Sequence, residues 1–276
     1  MTKLPKISII TPVYNRVEML EQTILSVLKQ KYSNLEYIIV DGGSTDGTVD
    51  LIKHYEESIM EGEFEGVELK WLSEKDNGMY HAIMKGMKLA TGDVVAWINS
   101  DDMYHTGALH IVGELFAQLP DVAWLTGTPT LYNSQGLCVK TFPTQYWTWK
   151  RFQRGDFRWL QQESTFFRRE LFNRVGGLNL EYKLAADFDL WCKMFQVARL
   201  YSVSTILGGF RQHGNQLSVA GVAKYEAEVK QICQSFAIGY KPYFTNRWLK
   251  KVISYFDTRS AVCYSFESGK WEITRK

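Results

Sequence analysis

Two adjacent carboxylates, Asp101 and Asp102, directly follow a hydrophobic run that begins at Val94 and is typical of a buried strand. Two like charges at such a position raise each other's pKa and are stable only where a cation or hydrogen-bond donors neutralise them. Mg²⁺ and Mn²⁺ prefer oxygen ligands, and proteins usually hold them with one or two carboxylates together with substrate phosphates. The pair therefore predicts a divalent-metal site. The alternative is that one of the two acids is solvated or caps the helix that opens near Gly107.

Another acid, Asp41, begins a loop of glycines and small polar residues that is typical of a tight turn before a helix. The loop does not match the G-x-G-x-x-G fingerprint of dinucleotide-binding proteins. We predict that Asp41 accepts hydrogen bonds from the base or ribose of a nucleotide; a turn with a helix cap is the alternative and accounts for Ser44 and Asp46. Tyr14 lies just past the first strand, where its ring either stacks on a base or belongs to the core.

Strands and helices alternate along the first part of the chain. Strands are predicted at Lys6–Thr11, Tyr37–Val40 and Leu69–Leu72 and from Val94, with amphipathic helices between them, the third over Tyr80–Ala90. This alternation predicts an α/β fold with a mostly parallel, Rossmann-like sheet and helices on both faces. Ligands of such sheets bind beyond the carboxyl ends of the strands, which is where the polar residues Thr11, Tyr14, Asp41, Asp76, Asp101 and Asp102 fall.

The pattern changes after Gly127. It predicts a hairpin turn at Asn133–Gly136, helices near 169–175 and 187–196, and strands near Leu200 and Ile206. No linker separates this part from the first, so both belong to one domain. From Lys224 onwards the apolar residues again follow a helical period, which predicts a helical tail.

Composition excludes several classes of protein. The chain of 276 residues has 32 basic and 30 acidic side chains, a net charge of +2, which argues against a protein that coats nucleic acid. Its four cysteines form no CxxC pair and indicate neither a zinc site nor a disulfide framework. We see no signal peptide and no apolar stretch of ~18 residues that could span a membrane, so we expect a cytoplasmic protein. The abundant aromatic residues either fill the core or line a cleft that stacks flat ligands.

Six segments together carry a resemblance: TPVYN, VDGGSTDGT, SEKDNGMYHAIMKG, ATGDVVAWINSDD, FFRRELFNRVGG and AADFDLW. In this order and spacing, from about Ile7 to Ser218, the chain resembles the family 2 glycosyltransferases of the GT-A fold. The resemblance implies a nucleotide-sugar donor, a divalent metal, Mn²⁺ or Mg²⁺, that bridges the donor's pyrophosphate, and transfer with inversion at the anomeric carbon. It also implies a GT-A domain over residues 1–220, with a nucleotide-binding half to about residue 130 and an acceptor-binding half over 131–220, followed by a helical extension over 221–276.

The resemblance also assigns roles to individual residues. Asp102 corresponds to the metal-binding acid and Asp101 to its neighbour near the ribose and the metal. Asp187 corresponds to the general base, which takes the proton of the attacking hydroxyl. Asp189 is the rival, but two positions along a helix turn a side chain away from its neighbour. The remaining assignments are Thr11, Pro12, Tyr14, Asp41 and Asp76 for the nucleotide, His213 for the metal or diphosphate, and Gln162, Glu163 and Trp191 for the acceptor.

Three positions depart from the family pattern. The second of two consecutive acids after the second strand is Gly42 here, which changes the usual contact to the base. Met84 stands where the helix after Gly78 usually carries Asn, and Ala186 replaces the Glu that normally precedes the base. These departures keep open an alternative: a catalytically impaired nucleotide-sugar-binding module of the same fold.

The predicted function is metal-assisted transfer of a sugar to a hydroxyl of a glycan or a polyprenyl-linked glycan, in bacterial surface polysaccharide synthesis. A UDP-sugar is the favoured donor and other nucleoside diphosphate sugars are alternatives; no nucleic acid partner is expected. Bases and rings alternate over Arg247–Ile253. This segment predicts either peripheral contact with the inner face of the plasma membrane or an ordinary amphipathic helix that covers the core.

Overall fold

The predicted alternation of strands and helices is confirmed in the computed structural model, which describes residues 3–157, 160–214, 221–239 and 260–275. The predicted runs become strands, of which Ile7–Val13, Leu35–Asp41 and Val94–Trp97 are buried throughout and Val67–Ser73 is only partly buried. Each amphipathic run becomes a helix that covers the sheet. In chain order these elements are β1 (Ile7–Val13), α1 (Val17–Leu28), β2 (Leu35–Asp41), α2 (Thr48–Met60), β3 (Val67–Ser73), α3 (Met79–Leu89) and β4 (Val94–Trp97).

The second part of the chain is made of shorter elements. They are β5 (Met103–Tyr104), α4 (Ala108–Gln118), β6 (Trp124–Thr126), β7 (Thr130–Tyr132), β8 (Cys138–Thr141), α5 (Trp149–Gln153), a 3₁₀ turn (Gln162–Ser164), β9 (Thr165–Arg168), α6 (Arg169–Arg174), α7 (Ala186–Val197), β10 (Leu200–Val203), β11 (Gly208–Arg211), α8 (Val222–Ser235), β12 (Ser260–Ser265) and β13 (Lys270–Arg275). The predicted turn at 133–136 does connect an antiparallel pair, β7 and β8.

One large sheet organises the molecule, with strand order β13-β12-β10-β6-β9-β4-β1-β2-β3. Strands β4, β1, β2 and β3 are parallel neighbours, so their carboxyl ends lie along one edge. Strand β9 pairs antiparallel with both β4 and β6 and joins the two parts of the chain into one sheet. The hydrophobic core lies on both faces of this sheet.

A small second sheet, in the order β5-β11-β7-β8, lies beside the end of β4. Strand β5 begins at Met103, immediately after the acid pair, and it pairs antiparallel with β11. The pairing brings Arg211, at the end of β11, to the loop that carries Asp102, although 109 residues separate them in the chain.

The C-terminal region is helical only in part. Helix α8 confirms the helical period that begins near residue 224, but residues 260–275 form a hairpin, β12 and β13, that extends the large sheet beside β10. The prediction of a wholly helical extension is therefore wrong for these residues. Ala261 and Val262 are fully buried there, which a pattern of helical periodicity does not capture. The Arg247–Ile253 segment lies outside the described residues, and no helix among those described is long and apolar enough to cross a bilayer.

Many of the aromatic residues are core residues. The indoles of Trp97, Trp124 and Trp191 form a stack with ring centroids 5.7 and 5.8 Å apart, and each is at most 2% exposed. Such contacts add to the free energy of burial of these large side chains. The stack anchors α7 to the sheet close to the carboxyl end of β4.

Candidate functional site

The carboxyl edge of the large sheet collects the predicted polar residues. Because the strands run in the order β4-β1-β2-β3, Asp101 and Asp102 after β4, Tyr14 after β1, Gly42 after β2 and Asp76 after β3 follow one another along it. Adjacent strands lie about 4.8 Å apart, so the edge from β4 to β3 spans about 14 Å. A ligand the length of a nucleotide fits along such an edge.

Asp102 is almost fully buried, with 1% of its surface exposed. Its Oδ1 accepts a hydrogen bond of 2.9 Å from the backbone N–H of Arg211, and its Oδ2 accepts one of 3.1 Å from Nδ2 of Asn99. Burial raises the pKa of this carboxyl well above its ordinary value, and the charges of Glu163 and Asp101 add to the rise against these two hydrogen bonds. Asp101 is more accessible, and its Oδ2 lies 2.9 Å from Nε2 of His213.

Glu163 adds a third carboxyl to this cluster. It is 4% exposed and sits in the 3₁₀ turn before β9, and among the described residues its Oε1 has no hydrogen-bond partner. Burial, together with the charges of Asp101 and Asp187 and against a backbone hydrogen bond, raises its pKa to about 8. Glu163 therefore lies within electrostatic reach of both the acid pair and the predicted base, so the structure brings these predicted residues together.

These residues fit a divalent cation that is shared with a ligand. Within the described ranges no three His, Cys, Asp or Glu side chains are arranged to hold a metal by themselves. Mg²⁺ and Mn²⁺ sites of the substrate-bridged kind need only one or two protein carboxylates, the other ligands being phosphate oxygens and water. Burial first, and the neighbouring negative charges after it, raise the pKa of Asp102 and of Glu163, and a bound cation would offset both by favouring the ionised carboxyls.

Asp187 lies in the first turn of α7, half-buried beside the same edge. Its Oδ1 accepts hydrogen bonds from the hydroxyl of Tyr80, at 3.0 Å, and from the backbone N–H of Phe188, at 2.9 Å. Burial raises the pKa of Asp187, and these two hydrogen bonds only partly oppose the rise. Since both bonds fall on Oδ1, no described residue bonds to Oδ2, which is placed to accept a proton from a ligand.

The loop that leads into α7 is held from the C-terminal region. One carboxylate oxygen of Glu228, on α8, accepts hydrogen bonds from the backbone N–H groups of Leu184 and Ala185, at 2.8 and 2.9 Å. These donors lie directly before the first residue of α7, Ala186, so the acid fixes the loop that leads into the helix from another element. Neither Tyr80 nor Glu228 was identified from the sequence, because each reaches the loop across more than 40 residues and no local motif signals it.

Other predicted acceptor and base residues are placed differently. Asp189 turns away from the edge and forms an ion pair of 2.6 Å with Lys193 on α7. Gln162 is buried and donates a hydrogen bond to the carbonyl of Trp97, which ties the 3₁₀ turn to β4. The prediction that Trp191 contacts an acceptor is wrong, because the residue is 2% exposed and its ring lies in the indole stack.

The predicted nucleotide residues divide into buried and accessible ones. Thr11 and Pro12 are buried in β1, and the Thr11 hydroxyl pairs with that of Tyr37 at 3.0 Å. Asp41 is fully buried and its two oxygens accept hydrogen bonds from Ser73 Oγ and from the backbone and side chain of the loop after β2. Thus Asp41 shapes that loop, whereas Tyr14, 62% exposed, and half-buried Asp76 offer surface to a ligand.

Asp46 caps two helices, as the alternative interpretation of this loop had it. Its Oδ1 accepts hydrogen bonds from the backbone N–H and the hydroxyl of Thr48 in α2, and its Oδ2 accepts one from the N–H of Val17 in α1. Burial acts to raise its pKa, but these hydrogen bonds outweigh burial and lower it. The helix ends behind Tyr14 and Gly42 are thereby held together.

Comparison with known proteins identifies the family. The model of glycosyl transferase family 2 matches residues 8–176. An uncharacterized glycosyltransferase of Rickettsia prowazekii is 27% identical over 230 residues, 80% of this chain and 69% of the relative. A PGL/p-HBAD biosynthesis glycosyltransferase of Mycobacterium bovis is 27% identical over 192 residues, which covers 69% of this chain and 70% of the relative.

Solved structures share the fold. S. aureus TarS 1-349, in complex with UDP-GlcNAc, superposes with a TM-score of 0.65 at 18% identity, and the match covers 83% of this chain. This chain spans 66% of that TarS chain, just under two thirds of its length. The mannosyltransferase PcManGT from Pyrobaculum calidifontis, in complex with GDP-Man and Mn²⁺, superposes with a TM-score of 0.62 at 20% identity, covering 87% of this chain and 67% of that one.

Proposed function

We propose that this chain, which belongs to glycosyl transferase family 2, transfers a sugar from a nucleotide-sugar donor to an acceptor hydroxyl with inversion at the anomeric carbon. The observation that carries the proposal is the position of two acids. Asp101, where the donor's diphosphate would lie, follows β4, and Asp187, the proposed base, begins the helix that the Trp97–Trp191 stack holds against the end of β4. The Glu163 carboxyl lies within electrostatic reach of both. A donor and an acceptor could therefore meet between those two acids.

Solved neighbours support the class of donor. TarS 1-349 was solved with UDP-GlcNAc and PcManGT with GDP-Man and Mn²⁺, both on the fold of this chain. We propose a nucleoside diphosphate sugar as the donor here, with the base at the β2–β3 end of the carboxyl edge and the diphosphate at the β4 end. Tyr14 offers an exposed ring for stacking, and Asp101 and His213 lie near the diphosphate position.

The transfer step follows from the position of Asp187. Its Oδ2 takes the proton of the acceptor hydroxyl, the acceptor oxygen bonds to the anomeric carbon, and the bond from that carbon to the diphosphate oxygen breaks. The nucleoside diphosphate leaves with the electron pair. A single displacement of this kind inverts the configuration at the carbon. Tyr80 and the Phe188 N–H hold the carboxylate by Oδ1 during the step.

Asp101 and Asp102 would hold a divalent cation, with His213 beside Asp101. When bound, the cation supplies charge stabilisation to the departing diphosphate. The residues of this chain contribute the positioning: the N–H of Arg211 and the Asn99 amide orient the Asp102 carboxylate, and the Thr23 hydroxyl donates to its backbone carbonyl at 2.8 Å.

We propose a glycan or lipid-linked glycan hydroxyl as the acceptor, and a role in the synthesis of surface polysaccharide. A mycobacterial relative is named as a biosynthetic glycosyltransferase, for PGL/p-HBAD. The competing proposal, a binding module without catalysis, rests on Ala186, which replaces the usual companion of the base. Against it stands the environment of Asp187, whose raised pKa suits proton abstraction.

The test measures release of nucleoside diphosphate from a panel of nucleotide sugars, with and without Mn²⁺ and with short glycan acceptors. The product's anomeric configuration is then read by NMR. We expect Asp187→Asn, which keeps both hydrogen bonds to Oδ1, to lower transfer about 10²–10⁴-fold with donor affinity unchanged. Asp189→Asn is the matched control, an acid two residues away that faces Lys193; it should retain transfer per folded molecule. Full transfer by Asp187→Asn would refute the assignment of the base, and a wild-type chain that binds donors but never turns them over would establish the binding module.

A further inference from the structure

Resting on the proposed function, we infer that Asp76 recognises the base of the donor, and that it selects a pyrimidine whose N3 carries a hydrogen. The structural basis is the way Gly42, Asp76 and Tyr14 meet at the carboxyl ends of β1, β2 and β3. Residue 42, the first residue after β2, is a glycine and brings no side chain to this point.

Gly42 leaves space that two neighbouring side chains border. A Cβ added at Gly42 would lie 3.0 Å from Oδ2 of Asp76 and 3.3 Å from Cδ2 of Tyr14. A carboxylate carried by residue 42 would therefore compete with the Asp76 carboxylate for one location. The acid at this end of the edge is supplied by the loop after β3 instead of the loop after β2.

The nearby acid Asp41 is not available for this role. It is fully buried, and four donors from Gly43, Ser44 and Ser73 occupy its two oxygens. Three of these donors fall on Oδ2 and one on Oδ1, and because the side chain is fully buried neither oxygen is accessible to a base. The half-buried Asp76 carboxylate lies beside the exposed ring of Tyr14, since both approach the same point above Gly42.

The hydrogen bond within the loop decides which oxygen of Asp76 faces the ligand. Its Oδ1 accepts the backbone N–H of Gly78 at 2.8 Å, which leaves Oδ2 on the Gly42 side. One acceptor oxygen beside a stacking ring matches a base with a single in-plane N–H, the N3–H of uracil or thymine. Cytosine has the same size but presents an unprotonated N3, whose lone pair would face the carboxylate. Guanine presents two adjacent donors, which ask for both oxygens.

The same geometry predicts the effect of an isosteric substitution. In Asp76→Asn, the Gly78 N–H holds the amide oxygen, so the amide nitrogen takes the position of Oδ2. The group that faces the base changes from an acceptor to a donor. The substitution should therefore penalise uracil and favour cytosine, an inversion that a purely structural role of Asp76 would not cause.

The experiment titrates the full-length chain with UDP, dTDP, CDP and GDP in the presence of Mn²⁺ by calorimetry. We expect UDP or dTDP to bind at least about tenfold more tightly than CDP, because hydrogen bonds to charged groups are the strong ones. Comparison of the UDP titration with the dTDP titration distinguishes uridine from thymidine. Asp76→Asn should bind CDP more tightly than UDP. Glu74→Gln, a neighbouring acid that pairs with Lys85, is the matched control and should keep the wild-type ratio.

If the wild-type chain binds UDP and CDP equally tightly, the inference is overturned and the proposed function is unaffected. Tighter binding of GDP than of UDP has the same consequence. An Asp76→Asn variant with the wild-type ratio also overturns it. Failure of all four diphosphates to bind overturns the inference and the proposed function together.

Discussion

Glu163→Gln should stabilise the protein at alkaline pH. Glu163 is 4% exposed and its Oε1 has no hydrogen-bond partner among the described residues, so its ionised form is poorly accommodated. Burial, together with the charges of Asp101 and Asp187, raises its pKa from 4.5 to about 8. Glutamine has the same shape and carries no charge at any pH.

The size and sign of the effect come from the two pKa values. At pH values between the two pKa values, Glu163 keeps a proton in the folded state that it has lost in the unfolded state. The free energy of unfolding therefore falls as pH rises, by about 1.4 kcal/mol per pH unit. The stability that the protonated Glu163 contributes is fully present below its pKa in the unfolded chain, and it is lost as the pH rises to its pKa of about 8 in the folded protein. From about pH 5 to about pH 8.5 the wild type should lose on the order of 4 kcal/mol relative to Glu163→Gln, with no further loss above.

Urea unfolding curves of both proteins, at several pH values and in EDTA, measure this difference. Below about pH 5 the two free energies of unfolding should nearly coincide, and they should separate steadily above it. A parallel series with Mn²⁺ and UDP should reduce the separation, because a bound cation favours ionised carboxyls in this cluster. If the two pH profiles run parallel in EDTA, Glu163 is not held neutral by its surroundings and the description of the cluster is incorrect.

Three further predictions concern residues around the site. Transfer should decline as pH falls through the raised pKa of Asp187. The hydrogen bond from Tyr80 lowers that pKa, so Tyr80→Phe, which removes the bond, should raise the pKa and move the acid limb of the pH–rate profile to higher pH. A limb that stays in place would contradict this. Asp46→Ala should cost about 1–2 kcal/mol at neutral pH, since two helices lose a cap, and less as pH falls through the lowered pKa of Asp46, which urea unfolding at two pH values measures. Gly86→Ala should cost about 1–3 kcal/mol in thermal or urea unfolding, because its Cβ would lie 2.5 Å from Cγ2 of Ile10; a stabilised variant would show that α3 can move off β1.

Several features were predictable from the chain because they depend on local patterns. Alternating β-branched and amphipathic runs predict the parallel strands and the covering helices, and the acids that end those runs mark the edge where ligands bind. Motif order and spacing indicated the family, and the matching family model confirmed it. The capping role of Asp46 was also visible as an alternative, since the residue types that cap helices are few.

Other features depend on contacts between distant segments, and no local pattern carries them. Trp191 has the residue type of a sugar-stacking side chain but lies in an indole stack, because α7 packs against β4 and β6. Asp41 has the residue type of a ligand-binding acid, yet it is fully buried and its oxygens accept hydrogen bonds from the protein, one of them from Ser73 of β3. Strand β12 pairs with β10, and this tertiary contact makes the segment a strand instead of the helix that the sequence pattern predicted.

The residue types and their spacing along the chain were enough for the fold, the family and the edge of the sheet that holds the site, since each of these follows from hydrophobic period and strand ends. Which acids are free to act depended on the folded chain. Asp41 is buried among its hydrogen-bond donors, and Asp189 forms an ion pair with Lys193. Asp76, Asp101 and Asp187 remain accessible. A carboxylate's chemistry is set by the donors and charges within a few ångströms, and those neighbours are brought together only by folding.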